Sequence, residues 1–307
     1  MKLLDGTQPE NLHFMWRPGI EPVLTVEPDE RFQVVIPDSS TGQIRPGFSV
    51  SDLDTVDESK YDGAVGPVYV RGAEPGDTAE IVIENITTGQ WGWTAILRNF
   101  GLFKETFEPT LVTWDIGLHY ATPRGEFLRG VRIPVRPFLG VVGCAPAIGE
   151  YDMIPPRHFG GNMDNRLLRK GARLLLPITN EGALVSFADP HASQGDGEVC
   201  GTAIETSAVI TARIRLRKGF ARTTPMLVSH EEDSGLKLIT MGISDNLYEG
   251  AKLAVSEMID HLKTQGITKE EAYVLCSVAG NLRISEIVDE PNYVVSFVLP
   301  EELTTRR

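Results

Sequence analysis

The sequence predicts a mainly β chain, a jelly-roll-like sandwich or barrel body followed by a smaller C-terminal α+β part. Three observations carry this. Thirty glycines and twenty prolines punctuate short apolar runs through the first three quarters of 307 residues, a texture unlike repeated βαβ units. A period of two runs from about 203 to 217, with Ile204, Ala208, Ile210, Ala212, Ile214 and Leu216 on one parity. Near residue 244 the apolar spacing turns helical. A division into a body, 1–235, and an α+β part, 236–307, follows.

In chain order, strands are expected at PVLTVEP (22–28), RFQVVIPD (31–38), GPVYVRG (66–72) and TAEIVIENI (78–86). Ala79, Ile81 and Ile83 alternate with Glu80 and Glu84, as on a half-buried strand. The Pro75-Gly76 turn separates the last two runs. On the 203–217 strand Glu205, Ser207, Thr211, Arg213, Arg215 and Arg217 form the polar face. Leu247, Ala251, Ala254, Val255, Met258 and Leu262 then form a helical stripe, capped by Ser244 or Asp245 and ended by Gly266. Thr268-Lys269-Glu270-Glu271 is a capping box opening a second helix to about Ala279, before a final strand from Asn292 to Leu299.

Composition narrows the function. With 29 basic and 42 acidic residues the formal charge is −13, so no cationic footprint for nucleic acid or an anionic membrane is expected. No apolar stretch is long enough for a membrane span, and the N-terminus turns polar at Asp5 without a signal core. Cys144, Cys200 and Cys276 are an odd, scattered set, which predicts neither disulfides nor a zinc knuckle, and a cytoplasmic setting.

The densest polar cluster is Asp189-Pro190-His191-Ala192-Ser193-Gln194-Gly195-Asp196-Gly197-Glu198-Val199-Cys200-Gly201. In extended chain Asp189 and His191 share one side, and Asp196 and Glu198 share one side. A neutral imidazole with two carboxylates suits a divalent metal, with zinc one candidate; the plainer reading is a solvated Gly-Asp-Gly turn. Glu205 lies an odd number of residues beyond Glu198, so a turn or bulge at Gly201 is needed to bring them together. His158-Phe159-Gly160-Gly161 offers backbone N–H groups to an oxyanion, with Asp164 as a ligand or orienting acid. Asp38 ends a β run as a candidate ligand or an Asx turn. Cys200 beside acids is a poor thiolate. Phosphate-loop, nucleotide-loop and serine-elbow motifs are absent.

From near His13 to about residue 300 the chain resembles the acetamidase/formamidase family. The resemblance rests on Gly66-Pro67-Val68-Tyr69-Val70 with Gly72–Asp77, on Gly160-Gly161-Asn162-Met163-Asp164, on Asp189–Glu198 continuing to Gly201-Thr202-Ala203-Ile204-Glu205, and on Glu270-Glu271-Ala272-Tyr273. Asp189-Pro190-His191 departs from the pattern, where a less rigid central residue is expected; Pro190 keeps the side-chain parity. The resemblance implies hydrolysis of formamide or acetamide to a carboxylic acid and ammonia, a β-rich fold and a homo-oligomer.

An unactivated amide needs a stronger nucleophile than neutral water, so a metal-activated water is the expected mechanism. His191, Asp38, Asp196 and Glu198 are the candidate ligands of zinc, or else of calcium or magnesium. Glu205 is the candidate base, with Glu198 and Asp164 beside it. Gly160, Gly161, His158 and Gln194 are the candidate substrate contacts. Two rivals use the same residues: a non-catalytic β-sandwich module binding carbohydrate or calcium, and an amidase with Cys200 or a carboxylate as nucleophile.

Overall fold

The computed structural model describes residues 1–231 and 235–304, and two large sheets dominate it. The first has nine strands, in the order Lys2–Asp5, Arg31–Ile36, Ala208–Arg217, Thr78–Thr88, Arg173–Pro177, Met226–Glu231, Gly235–Ser244, Tyr293–Pro300 and Asn281–Glu286. The second is built on Val185–Ser193, flanked by Phe138–Cys144 and by the two-residue strand Ile204–Glu205, and also paired to Ala64–Val70. Alternation explains how the sheets stack. Phe32, Val34, Ile36, Ile81, Ile83, Ile210, Ala212 and Ile214 of the first meet Val65, Val68, Val70, Leu139, Val142 and Phe187 of the second in one core. Phe32 and Phe187 touch at 6.1 Å between ring centres.

A bulge opposite Thr211 and Ala212 keeps Ile83 and Ile86 both facing inward despite their odd spacing. The long period-two segment is not one strand. Its first two residues, Ile204 and Glu205, belong to the second sheet, and the chain crosses to the first sheet before Ala208. At this corner the Thr206 N–H donates to the Pro190 carbonyl and its hydroxyl to the Trp91 carbonyl. Glu205 therefore does not share a face with Arg213 and Arg215. Nor is Glu80 wet: it is fully buried beneath Arg173, Arg215 and Arg217.

The C-terminal helices lie on the first sheet. Helix α1 spans Leu247–Thr264, and Asn246, not Ser244 or Asp245, caps it by accepting the N–H groups of Tyr248 and Glu249. Ala254, Met258 and Leu262 face Met226, Val228, Leu238, Phe297 and Leu299. Burying each of Met258 and Leu262 contributes at most about 1.5–3 kcal/mol, and Met258→Ala costs about 2–5 kcal/mol. Helix α2, Lys269–Ala279, opens with the Thr268 and Glu271 capping box and ends at Gly280. The expected 235/236 division falls within the strand Gly235–Ser244, which pairs with Met226–Glu231 on one side and Tyr293–Pro300 on the other, so the sheet is continuous there. No helix among the described residues is long and apolar enough to cross a membrane.

Candidate active site

Residue 189 faces residue 140 across the antiparallel pair, and position 140 is glycine for a steric reason. A Cβ there would come 2.1 Å from Asp189 Oδ2 and 2.5 Å from Asp164 Oδ1. Two carboxylates thus sit side by side over bare backbone, and the Met163 and Asp164 N–H groups donate to the Gly140 carbonyl. Asp62, Asp164, Asp189 and Glu198 all hold left-handed backbone, with φ of 52°, 41°, 54° and 46°. Such conformations cost on the order of 1–3 kcal/mol each for a residue with a side chain, and here they turn four acids toward one cavity.

His191 is the centre of the group. Its ring packs edge-on against Phe138, 4.9 Å between centres, and is 1% exposed. Nδ1 lies 2.9 Å from Gln194 Oε1, while Gln194 Nε2 donates to the Asp164 carbonyl at 2.9 Å. That second bond orients the amide, so Nδ1 carries the proton and donates it to Gln194. Nε2 then faces Asp189 Oδ1 at 2.9 Å and Glu205 Oε2 at 3.1 Å. A neutral ring would place a lone pair against two carboxylate oxygens; a proton or a cation must lie between them.

Glu205 is gripped from every side. Oε1 accepts the Ala203 N–H at 2.7 Å and Oε2 accepts the Ser39 hydroxyl at 2.7 Å. Burial would raise its pKa, but the His191 charge and hydrogen bonds from His191, Asp189 and Ser39 outweigh it and hold the carboxyl below its usual value. Glu198 Oε1 stands 3.9 Å from Nε2 without comparable donors. Burial first, then the charges of Asp164, Glu205 and Asp189, push Glu198 well above the usual carboxylate range. Asp62, Asp189 and Asp289 are raised well above it too, chiefly by burial. For His191, burial opposes charge, yet Asp189 and Glu205 prevail and raise it.

Six buried carboxyl groups, Asp62, Asp164, Asp189, Glu198, Glu205 and Asp289, thus line one cavity of about 560 Å³ with a single imidazole. Both oxygens of Asp164 are buried without a hydrogen-bond donor. Two sets bring ligand atoms close enough for one ion: Asp189, His191 and Glu205, and Asp164, His191 and Glu198. The donor set, one oriented imidazole nitrogen and carboxylate oxygens, fits a divalent cation.

The sequence-derived candidates divide sharply. Asp164, His191, Glu198 and Glu205 come together, because the chain turns at Gly201 (φ 88°) before entering Ile204–Glu205. Asp196 does not join them: it pairs with Arg166 and Arg283 at 2.6 and 2.7 Å, outside the cavity. Asp38 is buried next to the site but spends its carboxylate on its own turn, accepting from Ser40 N–H at 2.9 Å, the Ser40 hydroxyl and Gly42 N–H. Gly160 and Gly161 are paired in a strand against Gly143 and Val142, and His158 is exposed beside Phe159; none lines the cavity. Gln194 holds His191 instead of facing the cavity. Cys200 is half-buried, outside the lining, and donates to the Thr202 carbonyl.

Sequence reasoning passes over Asp189 as a ligand, although its shared side with His191 is the signal. Asp62, Asp289 and Ser39 reach the cavity from remote segments and leave no local pattern.

Comparison with known proteins finds relatives along nearly the whole chain. The sequence profile of the Acetamidase/Formamidase family matches residues 4–151 and 149–305. A formamidase of Methylophilus methylotrophus is 26% identical, over 96% of this chain and 90% of that protein. An acetamidase of Mycolicibacterium smegmatis is 27% identical, over 86% and 84%. The crystal structure of an acetamidase from Yersinia enterocolitica superposes with a TM-score of 0.90 at 26% identity, covering 99% of this chain and 93% of that one.

Proposed function

The chain belongs to the acetamidase/formamidase family, and we propose that it works through a divalent cation held at His191, with Glu198 as the proton carrier. The reaction is hydrolysis of a small amide, formamide or acetamide, to a carboxylic acid and ammonia. One observation carries the metal assignment: Nε2 of His191, its other nitrogen tied to Gln194, points at two carboxylate oxygens about 3 Å away. Asp189, His191 and Glu205 are the ligands that fit best, and zinc suits a mixed nitrogen and oxygen set better than calcium or magnesium. A cation bound there supplies Lewis acidity and lowers the pKa of water toward about 7.

The chain's own groups then divide the work. Ser39 and the Ala203 N–H keep Glu205 anionic and fixed, which suits a ligand better than the general base that the sequence alone suggests. Glu198, raised by burial and neighbouring charge, is the better group to take a proton from water and return it to the leaving nitrogen. Asp164 adds a further carboxyl group next to His191, at 3.8 Å from Nδ1. Trp93 and Phe100 line the same cavity and help exclude bulk water. A carbohydrate- or calcium-binding module gains nothing from acids buried around an imidazole, and the relatives speak for hydrolysis.

A cytoplasmic homo-oligomer, active on a small molecule instead of nucleic acid or membrane, is part of the same reading. The exposed Tyr273, Val274 and Val278 on α2, with Leu282 and Ile284 next in the chain, support assembly. The test is ammonia release from formamide by wild type and Glu198→Gln, with metal content measured on both. Loss of turnover at unchanged metal content supports Glu198 as the proton carrier; full turnover in the variant removes it from that role.

A further inference from the structure

The cavity is much larger than formamide or acetamide. Its volume of about 560 Å³ lies within the range of roughly 300–1,000 Å³ typical of pockets for drug-sized ligands. Beside the acids and polar groups such as Arg98, Asn99, Asn162 and Thr202, the lining carries an apolar wall of Tyr61, Trp93, Leu97, Phe100 and Ile154.

Phe100 is built into the turn that bears Glu198. A Cβ on Gly201 would come 2.5 Å from the Phe100 ring, and one on Gly101 (φ 85°) would come 2.6 Å from the Cys200 carbonyl. The Leu102 N–H donates to the Val199 carbonyl at 3.0 Å, and the Gly201 N–H donates to the Glu198 carbonyl at 2.7 Å. Two glycines without side chains thus let the 97–102 loop lie directly on the 198–201 turn, setting an aromatic ring within one turn of the proton carrier. Besides excluding water, such a wall offers apolar surface that a formyl or acetyl group is too small to cover.

We infer that Phe100, with Leu97 and Ile154, forms an acyl subsite, and that this chain also hydrolyses primary amides with branched or aromatic acyl groups, preferring them to formamide. The inference rests on amide hydrolysis at this cavity. Chemically it is the same reaction: water adds to the carbonyl, the C–N bond breaks, and the acid and ammonia leave. Apolar contact with the acyl group contributes to transition-state binding that formamide cannot recruit.

The experiment is kcat/KM, by ammonia release, for formamide, acetamide, isovaleramide and benzamide. Because one methylene group in an apolar pocket is worth roughly 10–200-fold, isovaleramide or benzamide should exceed formamide by at least about tenfold. Phe100→Ala should lower the benzamide-to-formamide ratio about tenfold, and Leu97→Ala reads the same ratio should the first variant fold poorly. Formamide matching or exceeding the larger amides, or a ratio that neither variant moves, overturns the subsite while leaving amide hydrolysis intact. No turnover of any amide ends the functional reading and the subsite with it.

Discussion

Glu80, with no exposed surface, meets three guanidinium groups: Arg217 at 2.5 Å, Arg173 at 3.6 Å and Arg215 at 3.9 Å. Glu205, 2% exposed in the other sheet, meets one imidazole in a cavity lined by five further buried acids. The first region carries its own counter-charges and the second does not. Burying unpaired carboxylates is costly, so a fold that retains them has a use for an outside cation or a movable proton. Strain follows the same division: none of the residues in the Glu80 group has positive φ, whereas four acids of the cavity do.

Removing the shared imidazole tests that contrast most severely. His191→Ala should lower kcat/KM for formamide by about a thousandfold or more and abolish tight metal binding, as read by ammonia release and elemental analysis. Glu198→Gln should cost about 10²–10⁴ in kcat with the metal retained. Gln194→Ala, which frees Nδ1, should weaken metal affinity or activity by about 10–100-fold, measured by titration against a competing chelator. On the other side of the comparison, Glu80→Gln should cost about 1–3 kcal/mol in chemical denaturation and leave metal content and KM as they were. The smallest effect expected is for Thr268→Ala at the start of α2, about 1 kcal/mol and again without a change in turnover.

Features written in neighbouring residues are legible in the chain itself. The capping box of α2 and the apolar stripe of α1 lie where periodicity puts them, because a helix is decided locally. The same holds for Asp189 and His191, two apart on one strand and in contact at 2.9 Å. Parity misleads at 204–217, where an alternation interrupted at Val209 hides a change of sheet at Thr206 and Ser207; alternation records which side is apolar, not which sheet is joined. Charge density misleads at Asp196, whose arginine partners lie 30 and 87 residues away. Asp62 and Asp289 arrive from loops more than two hundred residues apart, and only the folded chain sets them in one cavity.

Anomalous scattering from crystals of the purified enzyme, grown without chelator and shown beforehand to release ammonia from formamide, addresses the cation most directly. A single strong peak among His191 Nε2, Asp189 and Glu205 is the predicted result. An enzyme turning over at full rate with no peak at those three residues would contradict the account.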